Sequence, residues 1–174
     1  MGADVDIFDV NPAPLRRLDA IYRGALTTKV SHRLDVKNAA AEADLVIGAV
    51  LLPGAKAPRV LTAEDVAGMH NGAVLVDISI DQGGCFETSR ETKHSEPTYV
   101  VDGVVHYAVG NIPGAVPRTS TYALTNVTLP YVRVLADHRL EDAIRVSPEL
   151  AGGVNTQAGE IVHPVVAAAL AGGN

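Results

Sequence analysis

Apolar runs return along this chain at intervals of roughly 30 residues, the spacing of a strand, a crossover helix and the next strand. The runs are Val5 to Val10, Leu45 to Leu52, Val74 to Ile80 and Val104 to Val109, all rich in Val, Ile and Leu. Such richness is that of strands covered on both faces, so each is expected to be a parallel strand. Between the first two lies PAPLRRLDAIYRG, where Leu15, Leu18, Ile21 and Tyr22 keep helical spacing, Pro14 suits a first turn and Gly24 a stop. A second helix is expected over Val36 to Glu42. A third opens at Thr62, with Asp65 placed to close a capping box, and ends near Gly72.

Strand and helix alternate, so right-handed crossovers should build an open α/β sheet whose ligands sit beyond the carboxyl ends of its strands. The strand tips that matter are then Asp9, Val50 to Leu52, Ile78 to Asp81 and Val109 to Pro113. After residue 116 the pattern changes to one long helical segment, TSTYALTNVTLPYVRVLADH, in which Pro130 removes the bond to the Asn126 carbonyl and should kink the helix. A domain boundary is expected here, dividing residues 1–116 from 117–174. The tail reads as a short strand pair about Gly159 and a helix from Pro164 closed by Gly172.

Composition narrows the function. The 174 residues carry 14 Lys and Arg against 20 Asp and Glu, a formal charge of −6, with no basic stripe. Nothing here releases counterions from a phosphate backbone, so nucleic acid is not expected as a partner. No uncharged stretch reaches the roughly 20 apolar residues of a bilayer span. The first residues lack a basic region followed by an apolar one, so no secretory signal is expected and the cytoplasm is the default compartment. A single cysteine, Cys85, allows no intrachain disulfide. Among the six histidines no pair has the i, i+4 spacing of a helical metal site, and no metal is expected.

Chemistry concentrates at the tips. Asp9 ends a strand, where an acid can accept the two ribose hydroxyls of an adenosine or simply start a turn. The segment VDISIDQGGCFETSR is the richest: Asp81 is placed either to exchange a proton with an amine or water, or to cap the chain, while Gly83 and Gly84 permit close backbone approach. Asp77, within the strand, reads as a structural acid paired to a neighbour. Lys56 could meet a phosphate or stand in solvent. The irregular GNIPGAVPRTS could frame a ring-binding pocket or turn the chain. His106 reads as a strand-packing residue and Cys85 as small filler.

The stretches ADLVIGAVLLPGAKAP, AVLVDISIDQGGCFETSR and NIPGAVPRTSTYALTNVTLPYV are long and full of improbable neighbours. Together they resemble the alanine dehydrogenase family, which includes the NAD-binding subunit of nicotinamide nucleotide transhydrogenase. The similarity runs over essentially the whole chain, and DQGGCFETSR favours the dehydrogenase branch. The resemblance implies part of a Rossmann-type doubly wound parallel sheet over residues 1–116, lacking its first strand and glycine-rich turn. Residues 117–174 would then be a long helix returning to a substrate domain.

It further implies reversible, NAD-dependent deamination of L-alanine to pyruvate and ammonium, by hydride transfer and an imine, in a hexamer. Asp81 would be the catalytic carboxylate. Asp9 would hold the adenosine ribose; Ser31, Val50 and Leu51 would line the adenosine side; Ile78, Asp81, Val109, Asn111 and Ile112 would surround the nicotinamide. Asp9 favours NAD over its 2′-phosphorylated form, although Pro14 stands where family members can carry a basic residue. The family's substrate-binding Arg and Lys, its catalytic His and its glycine-rich turn belong to the preceding half, so this chain is expected to be a fragment without activity of its own. The alternatives are a transhydrogenase subunit and a non-catalytic interaction module.

Overall fold

The computed structural model describes residues 2–171. The chain divides into two units, Met1–Val50 with Ala57–Gly110, and Leu51–Lys56 with Asn111–Asn174. The division falls between Gly110 and Asn111 and takes Leu51–Lys56 with the second unit, whereas the change of sequence pattern had put a single boundary after residue 116.

The first unit alternates strand and helix. Strand β1 (Asp6–Asp9) leads to α1 (Pro12–Tyr22), β2 (Thr27–Val30), α2 (Arg33–Glu42), β3 (Leu45–Gly48), α3 (Ala63–Ala67) and β4 (Val74–Asp77). A hairpin of β5 (Thr98–Val101) and β6 (Val104–Tyr107) completes it. β1 and β2 pair in parallel as a sheet of their own. The other four form a sheet in the order β3-β4-β6-β5, parallel except for β5, which runs antiparallel to β6. Each apolar run thus contains a parallel strand.

Local chemistry sets the ends of these elements. Asn11 accepts the Ala13 N–H and opens α1, and Arg23 in the left-handed conformation closes it, one residue before Gly24. Thr62 and Asp65 form the expected capping box, but α3 stops at Gly68 rather than near Gly72. The strand expected over Val74 to Ile80 ends at Asp77, whose side chain caps a 3-10 turn over Ile78–Gln82. The core gathers Ala40, Leu61, Val66, Met69, Leu75, Cys85, Phe86 and Val104, with Val36, Val46, Val50 and Val60 packed against it.

The second unit begins with a 3-10 turn (Ile112–Ala115) and α4 (Pro117–Asp137), which runs through Pro130 as one helix. Then come α5 (Leu140–Val146), the two-residue strands β7 (Thr156–Gln157) and β8 (Glu160–Ile161), and α6 (Pro164–Ala171). Ala158 and Gly159, both at positive φ, turn β7 into β8. Gly172, the expected stop of α6, lies outside the described residues. No helix among the described residues is long and apolar enough to cross a membrane.

Candidate functional site

β3, β4 and β6 run in parallel, so their carboxyl ends open on one side of the sheet. The end of β3 is held close to the loop that leaves β4. A Cβ at Gly48 would stand 2.2 Å from Cys85 Sγ and 2.7 Å from the Phe86 ring, so only glycine admits this loop. The Ser79 hydroxyl donates to the Val50 carbonyl at 2.8 Å and ties the two tips together.

Asp77, 1 % exposed, organises the tip of β4. Its Oδ1 accepts the Ser79 N–H at 3.0 Å, and its Oδ2 accepts the Cys85 N–H at 2.9 Å and the Ser89 hydroxyl. The Cys85 thiol points at Oδ1 from 3.5 Å. Burial first, and the Asp77 carboxylate second, push the thiol pKa up to about 12. Cys85 is therefore a protonated, fully buried filler and no nucleophile. The turn that Asp77 caps leaves Ile78 half-exposed and Asp81 exposed, while Ser79 and Ile80 face inward.

A second layer holds the loop from outside. The Arg59 guanidinium donates to the carbonyls of Gly84 and Phe86. His106 Nδ1 lies 3.0 Å from the Val104 carbonyl and so carries the proton, leaving Nε2 to accept the Thr88 hydroxyl at 2.7 Å. Its ring stacks on Tyr99 with centroids 4.9 Å apart. The Tyr99 hydroxyl donates to the Thr88 carbonyl and accepts the Arg90 N–H, and the Arg90 guanidinium covers the Tyr99 ring at 4.0 Å. Burial lowers the His106 pKa and keeps the ring neutral.

Asp9 and Ser31 meet at the carboxyl end of the other parallel pair. Asp9 is in register with Val30, and the Ser31 N–H donates to the Asp9 carbonyl at 2.9 Å. Asp9 Oδ1 accepts the Asn11 N–H at 2.7 Å and so starts the turn into α1, and the side chain stays partly exposed. The turn-starting role and the ribose-reading role are thus compatible in one side chain.

The remaining predicted residues are divided. Val109 is fully buried and bridged to Thr92. Leu51, Asn111 and Ile112 belong to the second unit, with Leu51 largely exposed and Asn111 in the left-handed conformation just before its 3-10 turn. Lys56 is exposed, and Gly54 sits against Val165. The structure thus groups Val50 with Ile78 and Asp81, and Asp9 with Ser31. Two hollows hold none of these residues: one of about 360 Å³ is lined by Leu135, Leu140 and Leu150, the other of about 340 Å³ by Asp6, Lys29 and Glu42.

Ser89, Arg59, Thr88 and Tyr99 were not singled out from the sequence. Ser89 and Arg59 reach their partners across 12 and 27 residues, a separation that no local spacing rule reads.

Comparison with known proteins matches residues 1–164 to the family model described as alanine dehydrogenase/PNT, C-terminal domain. An alanine dehydrogenase of Staphylococcus haemolyticus is 52% identical over 170 residues, which are 97% of this chain and 46% of that protein. A solved structure of an L-alanine dehydrogenase superposes with a TM-score of 0.82 at 48% identity, over 98% of this chain and 47% of that one. The transhydrogenase from Sinorhizobium meliloti gives a TM-score of 0.61 at 26% identity, over 94% of this chain and 43% of that one. The dehydrogenase likeness is the stronger, and the chain spans about half the length of the curated relatives it matches.

Proposed function

Because the chain belongs to the alanine dehydrogenase/PNT family, we propose that it is the cofactor-binding half of an enzyme that converts L-alanine, NAD and water reversibly into pyruvate, ammonium and NADH. The observation that carries this reading is the turn after β4. It presents Asp81 to solvent at the carboxyl end of a parallel strand while Asp77, Ser79 and Cys85 beside it are tied down.

The tips suit a dinucleotide. Asp9 and the neighbouring Ser31 would hold the adenosine ribose, and an acid here repels a 2′-phosphate, which supports NAD over its phosphorylated form. Val50 and Ile78, at the tips of β3 and β4, supply apolar surface for a flat ring. NAD held at these tips would supply the acceptor for the hydride of the alanine Cα. Asp81 then orients the amine and takes the proton of the water that replaces it, returning that proton in the reverse direction.

Residues 1–116 would form the cofactor half and 117–174 the return to a substrate domain. Helix α4 has no buried residue and leaves Tyr122, Leu124 and Val127 more than half exposed, as expected of a chain that works in a homo-oligomer, a hexamer in this reading. The acidic balance, 14 Lys and Arg against 20 Asp and Glu with no basic stripe, favours a small-molecule substrate over nucleic acid.

The test is NADH formation from alanine by the longest native protein that carries this sequence. Wild-type protein should show alanine-dependent absorbance at 340 nm; none at saturating alanine and NAD overturns the reading. Asp81→Asn should lower kcat by about 100-fold or more. Unchanged turnover removes Asp81 from the reaction.

A further inference from the structure

We infer that Asp77 is the positioning residue of the reaction: one buried carboxylate grips both ends of the loop that carries Asp81. This rests on the reading of Asp81 as the reacting acid, and its test separates the two.

A 3-10 turn of five residues has poor hydrogen-bond geometry and no stability of its own. Something outside it must hold it. On the entry side Asp77 Oδ1 accepts the Ser79 N–H, the first orphan donor of the turn. On the exit side Oδ2 accepts the Cys85 N–H and the Ser89 hydroxyl. Between these grips stand Gly83 and Gly84, both at positive φ, which would otherwise leave the segment loose. Gly84 is also fitted to the carboxylate: a Cβ there would stand 2.8 Å from Oδ2.

Every one of these contacts is donated to Asp77, so the side chain must be acceptor on both oxygens. An asparagine has nearly the same shape but turns one acceptor into an NH₂ donor. That group would face either the Ser79 N–H or the Cys85 N–H and the Ser89 hydroxyl, and one end of the loop would be released. The turn would remain, with Asp81 free to wander by the ångström that a proton-transfer geometry does not forgive.

Cys85 gives a direct readout, because it is the sole thiol of the chain and lies inside the grip. Labelling of the 174-residue chain with a disulfide reagent at pH 8 should be slow in the wild type. It should quicken about tenfold in Asp77→Asn, from loss of both the grip and the neighbouring charge that suppresses the thiolate. Ser89→Ala removes one exit-side bond and leaves the carboxylate in place; it should quicken labelling a few-fold and decides the matter if Asp77→Asn fails to fold. In the longest native protein, Asp77→Asn should lower kcat about tenfold with the KM for NAD changed less than about twofold, the signature of lost transition-state alignment.

Unchanged labelling in folded variants overturns the grip. Faster labelling with unchanged kcat overturns the positioning role while leaving the grip. If Asp81→Asn retains full turnover, the underlying reading of Asp81 fails, and the thiol labelling still decides whether Asp77 holds the turn.

Discussion

Asp9 and Asp77 both terminate parallel strands, and their surroundings are opposite. Asp9 is partly exposed and gives one oxygen to the start of its own helix. Asp77 is buried, has both oxygens engaged by donors from three later residues, and leaves the chemistry to Asp81 further along the loop. The contrast separates two uses of the same residue at the same kind of place. An acid that addresses a ligand must keep an oxygen unengaged at modest desolvation, whereas an acid that fixes a scaffold gains from having every lone pair answered. Exposure and the count of donors distinguish the two; sequence position does not.

The sharpest way to break the contrast is to force the Asp77 side apart without touching Asp77. In Gly48→Ala the new Cβ collides with Cys85 Sγ and the Phe86 ring, both fully or nearly fully buried and unable to retreat. The variant should lose about 2 kcal/mol of unfolding free energy by urea titration, as overpacked cores do. A loss under about 0.5 kcal/mol would show that the loop is not pressed on β3, and Asp77 would then resemble Asp9 in having room about it.

The same contrast explains what the sequence made legible. The parallel strands were readable because Leu45 to Leu52 is an unbroken apolar run and Val74 to Ile80 is interrupted only by Asp77 and Ser79, and α1 and the capping box because their signals are local. β2 was not readable: Thr27, Lys29 and Val30 are exposed, so TTKV has no apolar pattern to show. β5 was missed for another reason. Asp102 and Gly103 in VVDGVV form a two-residue turn with both φ values positive, a hairpin signal that the strong run Val104 to Val109 overshadowed. At the site, Asp81 and Asp9 were visible as acids at strand tips, but the network around Asp77 joins residues whose meeting the fold alone decides.

A smaller effect is expected where α2 meets α3. Among the described residues β1 and β2 pair with each other alone, and α2 packs against α3. There Arg33 donates to Asp65 Oδ2, and Lys37 Nζ stands 3.3 Å from Oδ1. Burial alone would raise the Asp65 pKa; the Thr62 N–H and hydroxyl, then Arg33 and Lys37, outweigh it and hold the carboxyl well below the usual carboxylate range. A depressed acid stabilises the fold above its unfolded value of about 4, and that stability drains away as the pH falls below it. Asp65→Asn should cost about 1–2 kcal/mol at pH 7, because the cationic partners are half-exposed, and should flatten the loss below pH 4. His106, with its lowered pKa, loses its contribution from about pH 6.5 downward, and that earlier decline should persist in the variant. An unaltered acid limb would place the acid-labile group elsewhere.

The smallest stability effect belongs to Asp9, and it sharpens the comparison most. Its side chain contributes one hydrogen bond, to the Asn11 N–H, at a site where water can take over the donor. The cap of α1 itself is Asn11, whose Oδ1 accepts the Ala13 N–H whether or not Asp9 is present. Asp9→Ala should therefore cost only about 0.5 kcal/mol in urea denaturation, a fraction of the Gly48→Ala loss. If its carboxylate reads the adenosine ribose, the same variant in the longest native protein should raise the KM for NAD about tenfold with kcat little changed, because the contact is equal in ground and transition states. A stability loss of about 2 kcal/mol or more with an unmoved KM would reverse the assignment, making Asp9 a scaffold acid like Asp77 and leaving the ribose to another residue.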